Sequence, residues 1–163
     1  KFVDLVLEIK PAQVTLVPDT VDAITSNSGW DTIGYQDFLT DVIAEFKRNG
    51  IRTSVFMDPD LLLIEAAAKT GADRIELYTE EFAIQYKKGD QKAIQPYIES
   101  AKLAADLELG VNAGHDLNLN NIQFFAQNIP NLLEVSIGHA LIAESLYLGL
   151  QNVINMYLYR LKK

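Results

Sequence analysis

Hydrophobic and polar positions along the chain alternate between two kinds of spacing. Five short apolar runs predict β-strands at residues 13–17, 52–57, 74–78, 110–114 and 132–138. Between them, apolar residues recur at helical spacing, which predicts helices at 35–50, 58–72, 93–110, 119–130 and 139–163, after a helix that ends near residue 10. A strand followed by a helix, five times over, favours an α/β fold with a parallel sheet and helices outside it.

Several residues mark the predicted helix ends. Asp58 is expected to cap a helix at its N-terminus, with Pro59 as the first helical residue. Gly50 and Gly71 stand where helices commonly end in the left-handed conformation that suits glycine. The last segment, from His139 onward, is expected to form one long amphipathic helix.

The predicted strands carry polar residues on one face, which is unusual for a buried parallel sheet. Arg74 and Glu76 alternate with apolar residues in the third strand, and Glu134 does the same in the fifth. Helices covering that face would bury these charges at a high cost. A closed (β/α)₈ barrel removes the conflict, because the charges then face one another in the lumen. Strands at a sheet edge, with solvent on one side, are the alternative.

Composition narrows the class of protein. The 163 residues suit one domain with a single core, and no apolar run approaches the roughly 18 residues of a membrane helix. The net charge is −8 and no basic face is visible, so we expect neither a nucleic acid nor a membrane as partner. Cysteine is absent, which excludes disulfides and thiol catalysis and suits a cytoplasmic location.

The only two histidines in the chain each follow a glycine at the end of a predicted strand. These pairs are Gly114-His115 and Gly138-His139. Barrel enzymes place their chemistry at this end of the strands, and the free N–H groups that open the next helix bind anions. A histidine beside such an anion-binding site can exchange protons near neutral pH. Ordinary strand-to-helix turns also use glycine, so the pairs alone leave a structural explanation open.

Four segments carry a resemblance to a known family. They are VNAGHDLNLNN, SIGHALIAESLYLGL, KPAQVTLVPDTVDAITSNSGWD and GADRIELYTEEFA, and the match runs in order along nearly the whole chain. Together they resemble the pyridoxine 5′-phosphate synthase family of vitamin B6 biosynthesis. The resemblance implies a TIM barrel that assembles into a homo-octamer. It also implies an enzyme, a transferase, that condenses 3-amino-2-oxopropyl phosphate with 1-deoxy-D-xylulose 5-phosphate to pyridoxine 5′-phosphate, releasing phosphate and water. The family uses no metal and no organic cofactor.

The resemblance also implies roles for individual residues. His115 matches the family's proton donor, and Asp116 matches the next residue, which contacts the aminoketone phosphate. Gly138 and His139 match the pair that binds the same substrate. Thr25 matches a contact to the deoxyxylulose phosphate.

Three further points qualify these expectations. Glu76 matches an active-site glutamate whose role in the family is less settled. Many members carry glycine where this chain has Asp116, so its carboxylate must turn away from a bound phosphate or pair with another group. Because the match at Lys1 begins after the third strand of the family's barrel, residues 1–163 are expected to be the C-terminal part of a TIM barrel, with about five of its strands.

Two other functions remain open from the sequence. One is a different phosphate-binding barrel enzyme, an aldolase or epimerase, although none of the predicted strands ends in the lysine that such an enzyme often uses. The other is an inactive, truncated chain that only binds phosphate ligands.

Overall fold

The computed structural model describes residues 1–19 and 22–162. Over these residues the chain forms one five-stranded sheet and eight α-helices. The strands are β1 (Gln13–Leu16), β2 (Arg52–Met57), β3 (Arg74–Tyr78), β4 (Gly110–Gly114) and β5 (Leu132–Ser136). The helices are α1 (Phe2–Ile9), α2 (Gln36–Arg48), α3 (Leu61–Lys69), α4 (Glu80–Lys87), α5 (Gln95–Asp106), α6 (Ile122–Asn128), α7 (His139–Leu148) and α8 (Leu150–Arg160), and a short 3₁₀ helix (Gln91–Ile94) precedes α5.

The sheet is parallel throughout, and its strands lie in the order β1-β2-β3-β4-β5, so each strand pairs with the next in sequence. Alternate residues of a strand point to opposite faces. The apolar row, which includes Val55, Ile75 and Val111, packs into one buried core with Ile43 of α2 and Ile64 of α3. The predicted α/β fold with a parallel sheet is confirmed.

The polar row lies on the concave face of the sheet and joins its two edges. Gln13 of β1 donates from Nε2 to Oε2 of Glu134 in β5 at 3.1 Å. In a flat sheet, four strand spacings would separate these strands by about 19 Å, further than the two side chains can reach. The sheet is therefore strongly curved, as in a partial TIM barrel.

Glu134 is the centre of this concave network. Arg52 Nη2 and Arg74 Nη1 lie 2.9 and 2.7 Å from its Oε1, and Gln13 also accepts from Arg52 Nε at 2.7 Å. Arg74 further donates to Asn112 Oδ1 at 3.0 Å. The expected pairing of Arg74 with Glu134 in the lumen is present, whereas Glu76 takes no part in it and has other partners.

The C-terminal segment differs from the single long helix that its periodicity predicts. It forms two helices, α7 and α8, which meet at Gly149 with a φ of 82°. L-residues rarely adopt this backbone conformation, so Gly149 turns the chain between the two helices. None of the helices in the described ranges is long and apolar enough to cross a membrane.

The structure also corrects the expected cap of α3 and adds one helix. Asp60, and not Asp58, caps α3, since its Oδ1 accepts from the backbone N–H groups of Leu62 and Leu63 at 2.8 and 3.3 Å. Asp58 lies two residues too early for this role. The helix α4 follows β3 directly and was not predicted from periodicity.

Candidate active site at the strand ends

The two Gly-His corners lie beside each other at the carboxyl ends of neighbouring strands. Gly114 of β4 pairs in register with Ser136 of β5. His115 follows directly, and Gly138 lies two residues beyond Ser136 at the start of α7. The curved sheet therefore brings both corners to one edge, where the strands of barrel enzymes carry their functional groups.

His115 is held on three sides. Its Nδ1 lies 2.5 Å from Oδ2 of Asp116, and its Nε2 lies 2.9 Å from Oγ1 of Thr25. The ring of Tyr78 meets the imidazole edge to face, with 4.8 Å between the ring centres. The structure thus brings together three residues that the sequence analysis names, Thr25, His115 and Asp116, with a tyrosine that it does not.

The turn after β4 has an uncommon backbone. His115 and Asp116 have φ values of 82° and 59°, a region that few residues other than glycine occupy and that recurs at functional sites. Neighbouring side chains support the turn. Asn118 Nδ2 and Asn121 Nδ2 both donate to the carbonyl of Asp116, at 3.3 and 3.2 Å, and Thr79 Oγ1 donates to the carbonyl of His115.

Thr25 reaches the site on the long loop between β1 and α2. The hydroxyl of Tyr78, which hydrogen-bonds the closer Glu80 carboxylate, also lies 3.2 Å from the carbonyl oxygen of Ser26, and the Gly29 N–H donates to Oδ2 of Asp58 at 3.0 Å. Asp58 therefore anchors this loop rather than a helix. Tyr78 contacts both the loop and His115, so it links the position of Thr25 to that of the imidazole. Burial and the hydrogen bond to the adjacent Glu80 raise the Tyr78 pKa, which keeps the phenol protonated.

Glu76 lies deeper on the concave face and is only 8% exposed. Burial raises its pKa, although hydrogen bonds from the hydroxyls of Thr15 and Ser136 oppose that shift. Thr15 Oγ1 lies 3.2 Å from its Oε2. Gly114 is required next to it, because a Cβ at that position would lie 2.6 Å from Oε1 of Glu76. Glu76 is thus a buried carboxyl group with a raised pKa, beneath the turn that carries His115.

Gly138 and His139 open α7. Ile142 makes an intrahelical hydrogen bond to Gly138, so the N–H groups of residues 139–141 precede the first helical partner. A Cβ at Gly138 would meet no atom within 4 Å, which leaves room for a ligand against the backbone. The His139 side chain is exposed beside this space. Free N–H groups at a helix N-terminus are a common place for proteins to bind anions.

Tyr78, Asn118 and Asn121 are among the site residues that the sequence did not predict. Tyr78 lies two positions after Glu76 in β3 and therefore on the same face of the sheet, so its place in the site could have been predicted from the alternation. Asn118 and Asn121 follow the Gly-His corner, and asparagine is common where a side chain must bond a turn. Their particular partner, the carbonyl of Asp116, depends on the left-handed turn and has no sequence signal.

Taken together, the curved parallel sheet, the histidine at a strand end and the open helix N-terminus beside it are those of a TIM-barrel-type protein. The family model described as pyridoxal phosphate biosynthesis protein PdxJ matches residues 1–163. The chain therefore belongs to this family, whose fold is the TIM barrel.

Relatives named pyridoxine 5′-phosphate synthase support this membership. Pyridoxine 5′-phosphate synthase of Flavobacterium johnsoniae is 68% identical over 161 residues, which cover 99% of this chain and 68% of that protein. The enzyme of the same name from Christiangramia forsetii is 64% identical over 162 residues, with the same coverage of each chain. This chain thus spans about two thirds of the length of these relatives.

Among solved structures, a chain in the crystal structure of the Amycolatopsis orientalis BexX/CysO complex has a similar fold. The TM-score is 0.58 at 15% identity, and the match covers 97% of this chain and 59% of that chain. At this identity the likeness concerns the fold alone.

Proposed function

We propose that the chain is a pyridoxine 5′-phosphate synthase. It condenses 3-amino-2-oxopropyl phosphate with 1-deoxy-D-xylulose 5-phosphate, closes the pyridine ring and releases phosphate and water. The observation that carries this proposal is the family match over residues 1–163 together with a histidine, His115, whose Nε2 faces the strand-end site.

In this proposal some site residues bind the substrates and His115 transfers a proton. His115 acts as general acid, since water leaves readily only when its oxygen receives a proton. The α7 N-terminus at Gly138 and His139 holds the phosphate of the aminoketone, and the backbone at Asp116 contributes to the same seat. Thr25 contacts the deoxyxylulose phosphate. Glu76, a buried carboxyl group with a raised pKa beneath the turn, hydrogen-bonds oxygen atoms of the reacting substrates.

The alternative function, that of an aldolase or epimerase, has less support. Such enzymes often use a lysine at a strand end, and the five strands of the described residues end in Leu16, Met57, Tyr78, Gly114 and Ser136. No feature of the site favours it over the synthase.

The test is phosphate release from the two substrates together. The assay is run on this chain and on a chimera that adds the unmatched part of the Flavobacterium johnsoniae relative. Each form is compared with its His115→Asn variant, because asparagine tolerates the positive φ and keeps the turn. We expect release that depends on both substrates and falls about 10²- to 10⁴-fold in the variant. Folded protein without activity in either form would refute the proposal.

We also propose that the protein assembles as a homo-octamer. Large apolar side chains on α7 and α8 point away from the core, and Leu146 and Tyr147 are 81% and 89% exposed. Exposed apolar surface of this kind is typical of subunit contacts. Light scattering coupled to gel filtration measures the mass, and Tyr147→Glu is expected to lower it. A monomer in the unaltered protein would contradict this proposal.

Two further expectations accompany the proposed reaction. It needs no metal or organic cofactor, so turnover is expected to survive dialysis against a chelator, and a loss restored by one metal ion would contradict this. A cytoplasmic location is proposed from the absence of cysteine. Fractionation of the source cells tests it.

A further inference from the structure

The contact between His115 and Asp116 joins two neighbouring residues that both have left-handed backbone. In this conformation the two side chains turn toward each other, and Nδ1 of the imidazole lies 2.5 Å from Oδ2 of the carboxylate. The side chain of His115 is 17% exposed, and that of Asp116 is 45% exposed. The pair lies at the rim of the site, with the imidazole on the inner side.

We propose that Asp116 is a positioning residue that fixes the tautomer of His115. An ionised carboxylate only accepts hydrogen bonds, so the imidazole nitrogen beside it must carry a hydrogen. Neutral His115 then holds its proton on Nδ1 and presents a bare Nε2. The protonated form presents Nε2–H at the same place. Every proton that His115 exchanges therefore passes through Nε2, the atom that faces Thr25.

The surroundings keep the pair in this arrangement. The carbonyl of Asp116 accepts from Asn118 and Asn121, so the peptide that carries the carboxylate is held from the other side. The ring of Tyr78 packs against the imidazole and limits its rotation. The carboxylate is thus placed by the turn itself and needs no bound ligand to reach His115.

The pairing also explains how a carboxylate is compatible with an anion seat nearby. The negative charge of Asp116 is directed at Nδ1–H and is partly neutralised whenever His115 is protonated. Its backbone remains available to the phosphate. The inference rests on the proposed function for its catalytic meaning, whereas the tautomer is a property of the chain alone.

The first experiment reads the tautomer directly. Long-range ¹H–¹⁵N spectra of the histidine side chains are recorded on the labelled chain above the pH at which the imidazoles lose their charge. With two histidines in the chain, His139→Gln assigns both sets of signals. We expect His115 to show a protonated Nδ1 and a bare Nε2, and exposed His139 to show the mixture of a free imidazole.

The decisive variant is Asp116→Gly, because glycine accepts the φ of 59° and removes only the side chain. We expect His115 to lose its protonated Nδ1 signature. Asp116→Asn covers the case in which glycine loosens the turn, since asparagine also tolerates this φ and its neutral amide imposes neither tautomer. Asp106→Asn, at an exposed helix end, controls for the loss of one negative charge. Unchanged His115 signals in both Asp116 variants overturn the proposal.

Kinetics then show whether the positioning matters for turnover. In whichever form releases phosphate, Asp116→Gly is expected to lower kcat about 10- to 100-fold while KM for the aminoketone phosphate stays the same or falls. An equal kcat, or a loss confined to KM, overturns the positioning role. If no form releases phosphate, the proposed function fails, and the spectra still decide whether Asp116 fixes the tautomer.

Discussion

Glu76 shows at the level of one residue how the lumen changes the chemistry of a carboxyl group. Its described partners are hydroxyl groups, those of Thr15 and Ser136, and no cation lies among them. Burial raises its pKa, and the nearby charge of Glu134 acts in the same direction. The alternation of polar and apolar positions predicted that Glu76 faces the lumen. The same alternation did not predict that the Glu76 carboxyl group lies away from the arginine side chains, because Arg74 is only two positions earlier in the strand.

Glu76→Gln is expected to change how stability depends on pH. A raised folded-state pKa means that Glu76 contributes stability below its ordinary value of 4.5 and loses it as pH rises through the folded value. Glutamine mimics the protonated form, so the variant gains stability relative to the unaltered chain as pH rises. Urea unfolding from pH 4 to pH 8 measures this trend.

Asp73→Asn is the matched control for this experiment. Burial raises the pKa of Asp73, but hydrogen bonds from Thr53 and Lys47 outweigh it and lower the pKa below 3.8. Its contribution is present above that value and is lost only as pH falls further, so it stays constant from pH 5 to pH 8. A Glu76→Gln difference that is equally flat over this range would contradict the raised pKa.

His139→Ala is expected to weaken binding more than chemistry. The α7 N-terminus supplies its N–H groups from the backbone, so the proposed phosphate seat survives and only the proposed imidazole contact to phosphate is lost. We expect KM for the aminoketone phosphate to rise about 10-fold, the equivalent of one hydrogen bond to a charged group. Steady-state kinetics should show kcat nearly unchanged. An unaltered KM would remove His139 from the seat.

Among the helices, sequence periodicity predicted most elements and failed where one backbone angle decides the outcome. Apolar residues continue at helical spacing on both sides of Gly149, so the pattern indicates one helix across the break. Asp58 and Asp60 flank Pro59 and both suit an N-cap, and only the hydrogen bonds of Asp60 distinguish them. Residues 80–87 were missed because Phe82 is the buried residue of this helix, so the segment shows little apolar periodicity.

Gly149→Ala tests the break between α7 and α8. With φ at 82° and ψ at 136°, the position lies where L-residues are strained, so we expect a loss of about 1–3 kcal/mol in the free energy of unfolding. D-alanine, introduced by ligating a synthetic segment 149–163, suits positive φ and should restore stability. Equal urea midpoints for the glycine and L-alanine forms would show that the turn tolerates a side chain.

For the whole molecule, the decisive property is the curvature of the sheet. The polar row on five strands predicted a lumen, but a sheet edge with solvent on one side explained the same pattern. Gln13 and Glu134, from the first and last strands, settle the matter because they meet across the concave face. Such a contact between residues 121 positions apart has no local sequence signal. The same curvature brings the strand ends together and so assembles the site.

Glu134→Gln is expected to weaken this link and leave Arg74, whose side chain is only 14% exposed, without its charged partner. We expect a loss of about 1.5–3 kcal/mol in the free energy of unfolding, the range for hydrogen bonds to charged groups. Glu45→Gln, in the surface pair with Arg48, is the control and should cost below about 1 kcal/mol.

The double variant Glu134→Gln/Arg74→Met separates two effects of the single change. One is the loss of the ion pair between Arg74 and Glu134, and the other is the cost of leaving the Arg74 charge without its partner. Removing both groups leaves no buried cation, so its loss should be smaller than the sum of the two single losses. Strict additivity in urea unfolding would mean that the two side chains do not interact. The curvature would then have to come from helix packing on the convex face, and the strand-end site would be expected to keep its geometry without Glu134.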